Sequence, residues 1–375
     1  MIVGLRSHTA ILAQPPPDPG AFSRSSVWRH AVLGRILARR SCPPPRQRKA
    51  LPPDACDHVH SLAMTTPNRL WILTACVAAL AGSPVALLAQ LSYPDRCGTG
   101  IPRDEKPGYA PLPRGDVFCQ LIADPKSPRS FATLVRERID STSSSTGNLA
   151  SVGIGDVFPL GRWDGATLGD GVQLSLSAGV FAQFDLGTQS YDLLNADYMV
   201  GIPLTIRRGR TSMRLRIYHQ SSHLGDEYLL REPPARRDRE NLSFESVEGL
   251  FSLDAGAMRV YGGGEMLINR EPSDLSRMVV HAGAELRPMP FIIPLGGLGG
   301  FRFLAATDVK SSKEHDWQPS VSARVGLEYD RARSAEPAAR RWALLLEYYD
   351  GPSPYGQFFR EQVRYTGIGV HFSGF

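Results

Sequence analysis

The residues best suited to chemistry lie in one short stretch, His219-Gln220-Ser221-Ser222-His223. On an extended strand, residues two apart point to the same side, so a neutral imidazole at 219 can approach the hydroxyl at 221 and take its proton. Such a pair would serve acyl transfer, with Ser221 as nucleophile and His219 as base. A third group must then orient the imidazole. Folding the neighbouring sequence into a hairpin centred near residue 232 sets Ser221 opposite Ser243, His219 opposite Glu245 and His223 opposite Asn241, and opposed residues share a face. Asn241 and Glu245 are therefore the candidate orienters. Leu242 and Phe244 argue the other way. If those two face lipid, Asn241, Ser243 and Glu245 turn inward, and a one-residue slip reverses the answer.

No other cluster competes with this one. Asp226, Glu227 and Glu232 could attract calcium but lack the spaced oxygen ligands of a calcium loop. Calcium is thus expected only if the Ser221 chemistry requires it, and no other cofactor is expected. His281, His315 and His371 stand alone and read as lumen, loop and strand residues rather than as metal ligands. Of five cysteines, Cys42, Cys56 and Cys76 fall in segments that precede the working chain, which leaves Cys97 and Cys119 as one disulfide or two thiols.

These side chains sit within a long run of period-two alternation. From Val172 to Phe184 the even positions are apolar and the odd ones mostly polar, and Val321 to Tyr329 sets Ser322, Arg324, Gly326 and Glu328 against an apolar face. Ten strand candidates lie near 172–184, 194–206, 211–223, 241–253, 257–269, 277–287, 301–310, 320–329, 341–349 and 362–375, with a weaker one at 151–158. Their length suits tilted membrane strands, which need about 9–11 residues. The links at 207–210 and 254–256 are short and fall on one side, whereas the link 224–240 is long and falls on the other. The fold class is all-β: an antiparallel up-and-down transmembrane β-barrel of about 10–12 strands, with an irregular N-terminal extension. Closure is required because an open edge in hydrocarbon leaves backbone donors and acceptors unpaired. The alternative is a soluble periplasmic β-sandwich binding module, whose apolar faces would pack on each other. In a barrel, Arg214, Arg216, Arg259, Glu265, Glu285, Arg287, Arg324, Glu328 and Glu347 line the lumen with both signs, a salt-bridged filling rather than an open channel. Trp317, Tyr348, Tyr349, Tyr355, Phe358 and Phe359 read as an aromatic girdle near the outer ends.

The charge of +5 over 375 residues misleads, because residues 1–63 carry 9 basic against 3 acidic groups. From residue 90 onward 32 basic residues face 34 acidic ones, so no nucleic-acid partner is expected. Residues 1–63 are rich in Pro and Arg without periodicity and read as an unfolded upstream extension, with Met64 the expected start. Residues 64–89 have the layout of a signal peptide, with Arg69 before an apolar run from Leu70 to Ala81 and small residues up to Ala89. Residues 90–150 read as a periplasmic N-terminal extension or plug, containing a helical candidate at Phe131 to Ile139, and residues 151–375 as the barrel. The terminal Phe375 resembles the signal read by the barrel-assembly machinery, although it is out of phase with Ile368, Val370 and Phe372. The expected location is the outer membrane of a Gram-negative cell, as monomer or dimer.

Several blocks carry a family resemblance: Leu112-Pro-Arg-Gly-Asp-Val-Phe, Leu121-Ile-Ala-Asp-Pro-Lys, Phe184-Asp-Leu, Leu194-Asn-Ala-Asp-Tyr-Met-Val-Gly-Ile-Pro-Leu, Tyr218-His-Gln-Ser-Ser-His-Leu-Gly-Asp-Glu-Tyr, Arg270-Glu-Pro-Ser-Asp-Leu and Tyr349-Asp-Gly-Pro-Ser-Pro-Tyr-Gly-Gln-Phe. Together they resemble the bacterial family called domain of unknown function 1207. The resemblance implies an exported barrel and supplies no biochemical activity.

Two functional expectations follow. In the first, the protein has a structural, surface or narrow-transport role, and the 219–223 block is a polar rim anchoring loop 224–240 against lipopolysaccharide or against itself. In the second, the His-x-Ser spacing is similar to that of outer-membrane phospholipase A and of lipid A deacylases. That similarity implies a serine-type lipid acyl hydrolase with Ser221, His219 and either Asn241 or Glu245 at the lipid-facing rim. Outer-membrane lipid and lipopolysaccharide are the expected partners in both.

Overall fold

The computed structural model describes residues 108–139, 145–167, 169–230, 240–288, 292–330 and 341–373. The upstream extension, the signal peptide, Cys97, Glu232 and Phe375 lie outside the described residues. The strands are β1 (Tyr109–Pro111), β2 (Ser130–Ile139), β3 (Ser145–Asp164), β4 (Gly171–Asp185), β5 (Leu193–Arg208), β6 (Thr211–Leu224), β7 (Ser243–Ala255), β8 (Met258–Glu271), β9 (Met278–Leu286), β10 (Ile293–Pro294), β11 (Gly300–Ser312), β12 (Pro319–Asp330), β13 (Arg341–Pro352) and β14 (Gln362–Ser373). Twelve of them close an antiparallel barrel, with β2 paired to β14 and the short β1 and β10 added to β3 and β11.

The twelfth strand corrects the sequence reading. Phe131 to Ile139 is not a helix but the first barrel strand, so the wall begins at Ser130 rather than at 151. Phe131, Leu134, Val135 and Ile139 mimic a helical spacing. In the barrel Phe131, Thr133, Val135 and Glu137 point inward and Ala132, Leu134, Arg136 and Arg138 outward. β3 extends the weak candidate at 151–158 in both directions, to twenty residues.

The wall is inverted relative to a soluble protein. Leu215, Ile217, Leu344 and Leu346 are exposed on the outside, while Arg214, Arg216, Glu248, Arg324, Glu328 and Glu347 are buried inside. This arrangement excludes the sandwich, whose apolar faces would have packed together. The inner charges pair as expected: Arg214 and Arg216 with Glu248 (2.8 and 2.7 Å), Arg259 with Glu285 (3.3 Å), Arg287 with Glu328 (3.2 Å) and Arg324 with Glu347 (3.1 Å).

The segment before β2 occupies the lumen. Phe118 and Leu121 pack on Leu250 and Tyr261, and Ile122 and Ala123 pack on Leu304, Ala306, Ala343 and Leu345, so the apolar inward positions of the wall lie where this plug passes. Its polar backbone is satisfied by the wall: Arg259 donates to the Cys119 carbonyl (3.0 Å), Arg324 to that of Ile122 (2.6 Å), and the Ile122 N–H donates to Glu285 (2.8 Å). The plug reverses at Asp124-Pro125-Lys126-Ser127. There the Ser127 N–H donates to the Asp124 carbonyl (3.2 Å) and the Lys126 N–H to the Asp124 side chain (2.9 Å), with proline supplying the fixed φ of the turn. Arg129 then folds back onto the Leu121 and Ile122 carbonyls. Cys119 is disulfide-bonded.

Candidate functional site

Two groups of polar side chains lie toward the rim opposite the C-terminus. The first is the lipid-side cluster expected from the sequence. Alternation along β6 turns Tyr218, Gln220 and Ser222 inward and leaves His219, Ser221 and His223 on the outer face. The register sets His219 opposite Glu245 and Ser221 opposite Ser243. Glu245 therefore shares the face of His219, and Phe244 and Leu242 turn toward the barrel mouth, where Leu242 is buried. The lipid-facing reading of Leu242 and Phe244 fails because their apolar surface packs on Phe359, Leu267 and Leu275 around the mouth.

The Glu245 carboxylate lies 2.8 Å from His219 Nδ1, and both side chains remain more than one-third exposed. With Nδ1–H donating to Glu245, Nε2 presents a lone pair, the tautomer a general base requires. Ser221 stands on the same face two residues on, but no hydrogen bond joins its hydroxyl to the imidazole among the described residues. Asn241 precedes β7, is exposed, and takes no place in the ladder opposite His219. The structure thus brings together His219 and Glu245, sets Ser221 beside them and leaves Asn241 apart.

The second group was not singled out from the sequence. Asp197 of β5 is fully buried and receives the ammonium of Lys126 from the plug apex, the Asn195 amide (3.0 Å), the Ser222 hydroxyl and the Gly356 N–H (3.0 Å). Lys126 also lies over the rings of Phe181 and Tyr355, at 4.7 and 4.4 Å. The segment 353–359 folds inward over the mouth. Gln357 donates through Nε2 to the carbonyls of Ser222 and Glu240, both at 2.8 Å, and the Tyr355 hydroxyl bonds Ser151. A Cβ on Gly356 would lie 2.6 Å from Ser222, so this approach needs glycine. Beside the knot is a chamber of about 190 Å³ lined by Asp124, Lys126, Arg216, Glu265 and Lys310 among others, with Lys310 paired to Asp124 at 2.8 Å.

The expected girdle is corrected by the same fold. Tyr349, Tyr355, Phe358 and Phe359 are buried inside the mouth because they pack on inward wall residues such as Phe181, Tyr365 and Leu242 and, for Tyr355, on the Lys126 ammonium, whereas Trp317 is exposed. The three histidines have carboxylate or aromatic neighbours among the described residues. His281 lies 2.5 Å from Asp308, His371 lies 2.7 Å from Glu347, and His315 stacks edge-on to Phe359. Burial in its loop lowers the pKa of His315, and burial raises that of Tyr355 above the ordinary phenol range.

The clue to the second group was present in the family blocks. Asp124 and Lys126, Asn195 and Asp197, Ser222, and Tyr355 to Gln357 come from four separate blocks that meet at this one point.

Among solved structures, outer membrane phospholipase A from Escherichia coli is 13% identical over 66% of this chain and 91% of its own, with a TM-score of 0.42. The KdgM porin is 10% identical over 65% and 98%, with a TM-score of 0.33. The translocator domain of autotransporter NalP from Neisseria meningitidis is 12% identical over 80% and 98%, with a TM-score of 0.29. No curated protein matches the sequence. Residues 106–374 match the family described as Protein of unknown function (DUF1207), and with most of its length inside that match the chain belongs to this family.

Proposed function

We propose that this protein is an outer-membrane barrel closed by its own N-terminal segment, and that it works at its lipid-contacting outer rim rather than as an open pore. One observation carries this reading: the plug crosses the lumen, and Arg259, Arg324 and Glu285 hold its backbone from three different strands. The apolar outer wall and polar interior support a membrane location. Outward-facing Arg136, Arg138 and Arg364 toward the rim opposite the C-terminus suit the phosphates of lipopolysaccharide as partners, and the barrel-assembly machinery would insert the chain. Swelling of proteoliposomes in a pentose solution tests it. The full chain should admit no sugar, and Arg259→Ala with Arg324→Ala should open it. Steady sugar entry through the unaltered chain would refute the reading.

A second reading is favoured by the His219–Glu245 contact on the lipid side: a serine-type acyl hydrolase with Ser221 as nucleophile, His219 as base and Glu245 as the orienting group. Ser221 must rotate toward Nε2 for this chemistry, and catalytic hydrogen bonds commonly tighten only with substrate. Fatty-acid release from phospholipid and lipopolysaccharide micelles, with and without calcium, by the unaltered chain but not by Ser221→Ala would support it. No release from a folded barrel would refute it.

A further inference from the structure

On the outer wall beside His219 is an open cavity of about 720 Å³. Its floor is one row of opposed residues: His219 on β6, Val200 on β5, Ala178 on β4 and Asp156 on β3. The row above it holds Tyr198, Val180 and Ile154, and Phe158 stands on the other side. Small residues make the slot. Ala178 and the bare backbones of Gly155 and Gly179 lie low between the taller side chains of Ile154, Phe158 and Tyr198, which are 70%, 50% and 47% exposed.

The slot is tilted in the membrane. His219 lies five residues from the outer end of its strand at Leu224, whereas Asp156 lies eleven from the corresponding end of β3 at Ser145. The half-exposed His219–Glu245 pair is costly in hydrocarbon and belongs at the polar boundary. An apolar slot therefore starts at a hydrogen-bonding pair at headgroup depth and descends past Val200 and Ala178 to Ile154 and Phe158, about 14 Å at the spacing of a sheet, and stops at the Asp156 carboxylate, which accepts from Gln120 of the plug at 3.0 Å.

We infer that this slot is a binding site for one glycerophospholipid, its acyl tail lying along Val200, Ala178 and Ile154 and its ester region against His219 and Glu245. The volume lies in the range that encloses a single small-molecule ligand, enough for one acyl tail and the ester region that joins it. Because hydrocarbon tails are as apolar as the wall, selectivity comes from close packing in the slot and from the polar end, not from a general hydrophobic force. The inference rests on the rim reading above but not on hydrolysis, and it holds whether or not Ser221 acts as a nucleophile.

The test uses the full chain inserted into phosphatidylethanolamine vesicles that contain a small fraction of phosphatidylethanolamine with a photoactivatable tail. After illumination, labelled peptides are mapped. Labelling of 172–184 and 194–206 should exceed that of the far wall at 341–350 at least fivefold. Ala178→Trp, which fills the slot from the lipid side, should remove that excess, and Leu344→Trp on the far wall should leave it intact. Val200→Trp serves as a second filler if Ala178→Trp fails to fold, judged by heat-modifiable migration. Even labelling around the barrel, or an excess that survives both fillers, overturns the site. Protection of this face by a second copy, seen as a dimer lost in Ala178→Trp, also overturns it. A chain that does not insert at all refutes the rim reading rather than the slot.

Discussion

Two ion pairs hold the plug apex to the wall, Asp124 with Lys310 and Lys126 with Asp197, and removing the fully buried Asp197 carboxylate perturbs the second alone. In Asp197→Ala the ammonium of Lys126, 13% exposed at its side chain, keeps its place between two rings but loses its counter-charge. Breaking a buried pair by deleting one partner costs about 3–5 kcal/mol, and the remaining ring contacts offset about 1–2 kcal/mol of that. A net loss of about 2–3 kcal/mol lowers the docking constant of the apex roughly 30- to 150-fold. The freed Ser222 hydroxyl and Gly356 N–H add a cost of about 1–3 kcal/mol, but on the wall and mouth rather than on the plug. Adding Lys126→Met removes the stranded charge, so the double variant should regain most of the plug docking while the mouth stays loosened. Hydrogen–deuterium exchange on the vesicle-inserted barrel separates the two regions. Residues 117–127 should lose protection in the single variant and recover it in the double, and residues 353–359 should remain deprotected in both. Equal protection of the plug in the single variant and the unaltered chain would refute the assignment of Asp197 as its anchor. So would a double variant as deprotected as the single.

Other expectations follow from the same contacts. Burial raises the pKa of Asp116, at the base of the plug, from 3.8 to about 6, so the docked plug holds a proton that the free segment releases. Docking should therefore be strongest below pH 4 and weaken as pH rises through 6, and Asp116→Asn, which keeps an acceptor for the Phe118 N–H and the Gln173 amide, should abolish the slope. Asp116 is only partly buried, so the docking lost between pH 4 and pH 7 in the unaltered chain, and recovered at pH 7 by Asp116→Asn, is about 1–2 kcal/mol, readable as exchange protection. A Cβ at Gly263 would lie 2.0 Å from the Gly249 carbonyl oxygen across the ladder, so Gly263→Ala should cut the heat-modifiable fraction sharply. Gly209 has φ +58° in an open turn, and Gly209→Asn should leave that fraction unchanged. Tyr355→Phe strands the buried Ser151 hydroxyl and should loosen the mouth segment by about 1–2 kcal/mol, seen as faster proteolysis near 353–359.

Much of the fold was legible because a membrane barrel writes its two faces directly into alternate residues. β4, β6 and β12 read cleanly because each keeps an apolar outer face against a polar inner one. β2 did not, since its inward Phe131 and Val135 join the apolar mouth cluster with Phe181, Tyr355 and Tyr365, while its outward face carries Arg136 and Arg138, so neither face shows the apolar-out, polar-in pattern that marks the other strands. The hairpin register between His219 and Glu245 followed from counting about a loop centre. The facing of Leu242 and Phe244 did not, because the mouth of this barrel is apolar where its middle is charged. The Asp197 knot was hidden for a different reason. Each contributor looks like ordinary turn or strand chemistry alone, and only the closed wall brings residues 126, 197, 222 and 356 to one point.

A barrel closed by its own N-terminal segment requires that residues 115–129 fill the lumen after insertion into the membrane. A photo-crosslinking amino acid at position 123, illuminated in intact cells that express the full chain, tests it most directly, since Ala123 packs on Leu304, Ala306, Ala343 and Leu345. Intramolecular crosslinks confined to β11 and β13 are expected. Crosslinks to other proteins, or none to the wall, would contradict a plugged barrel.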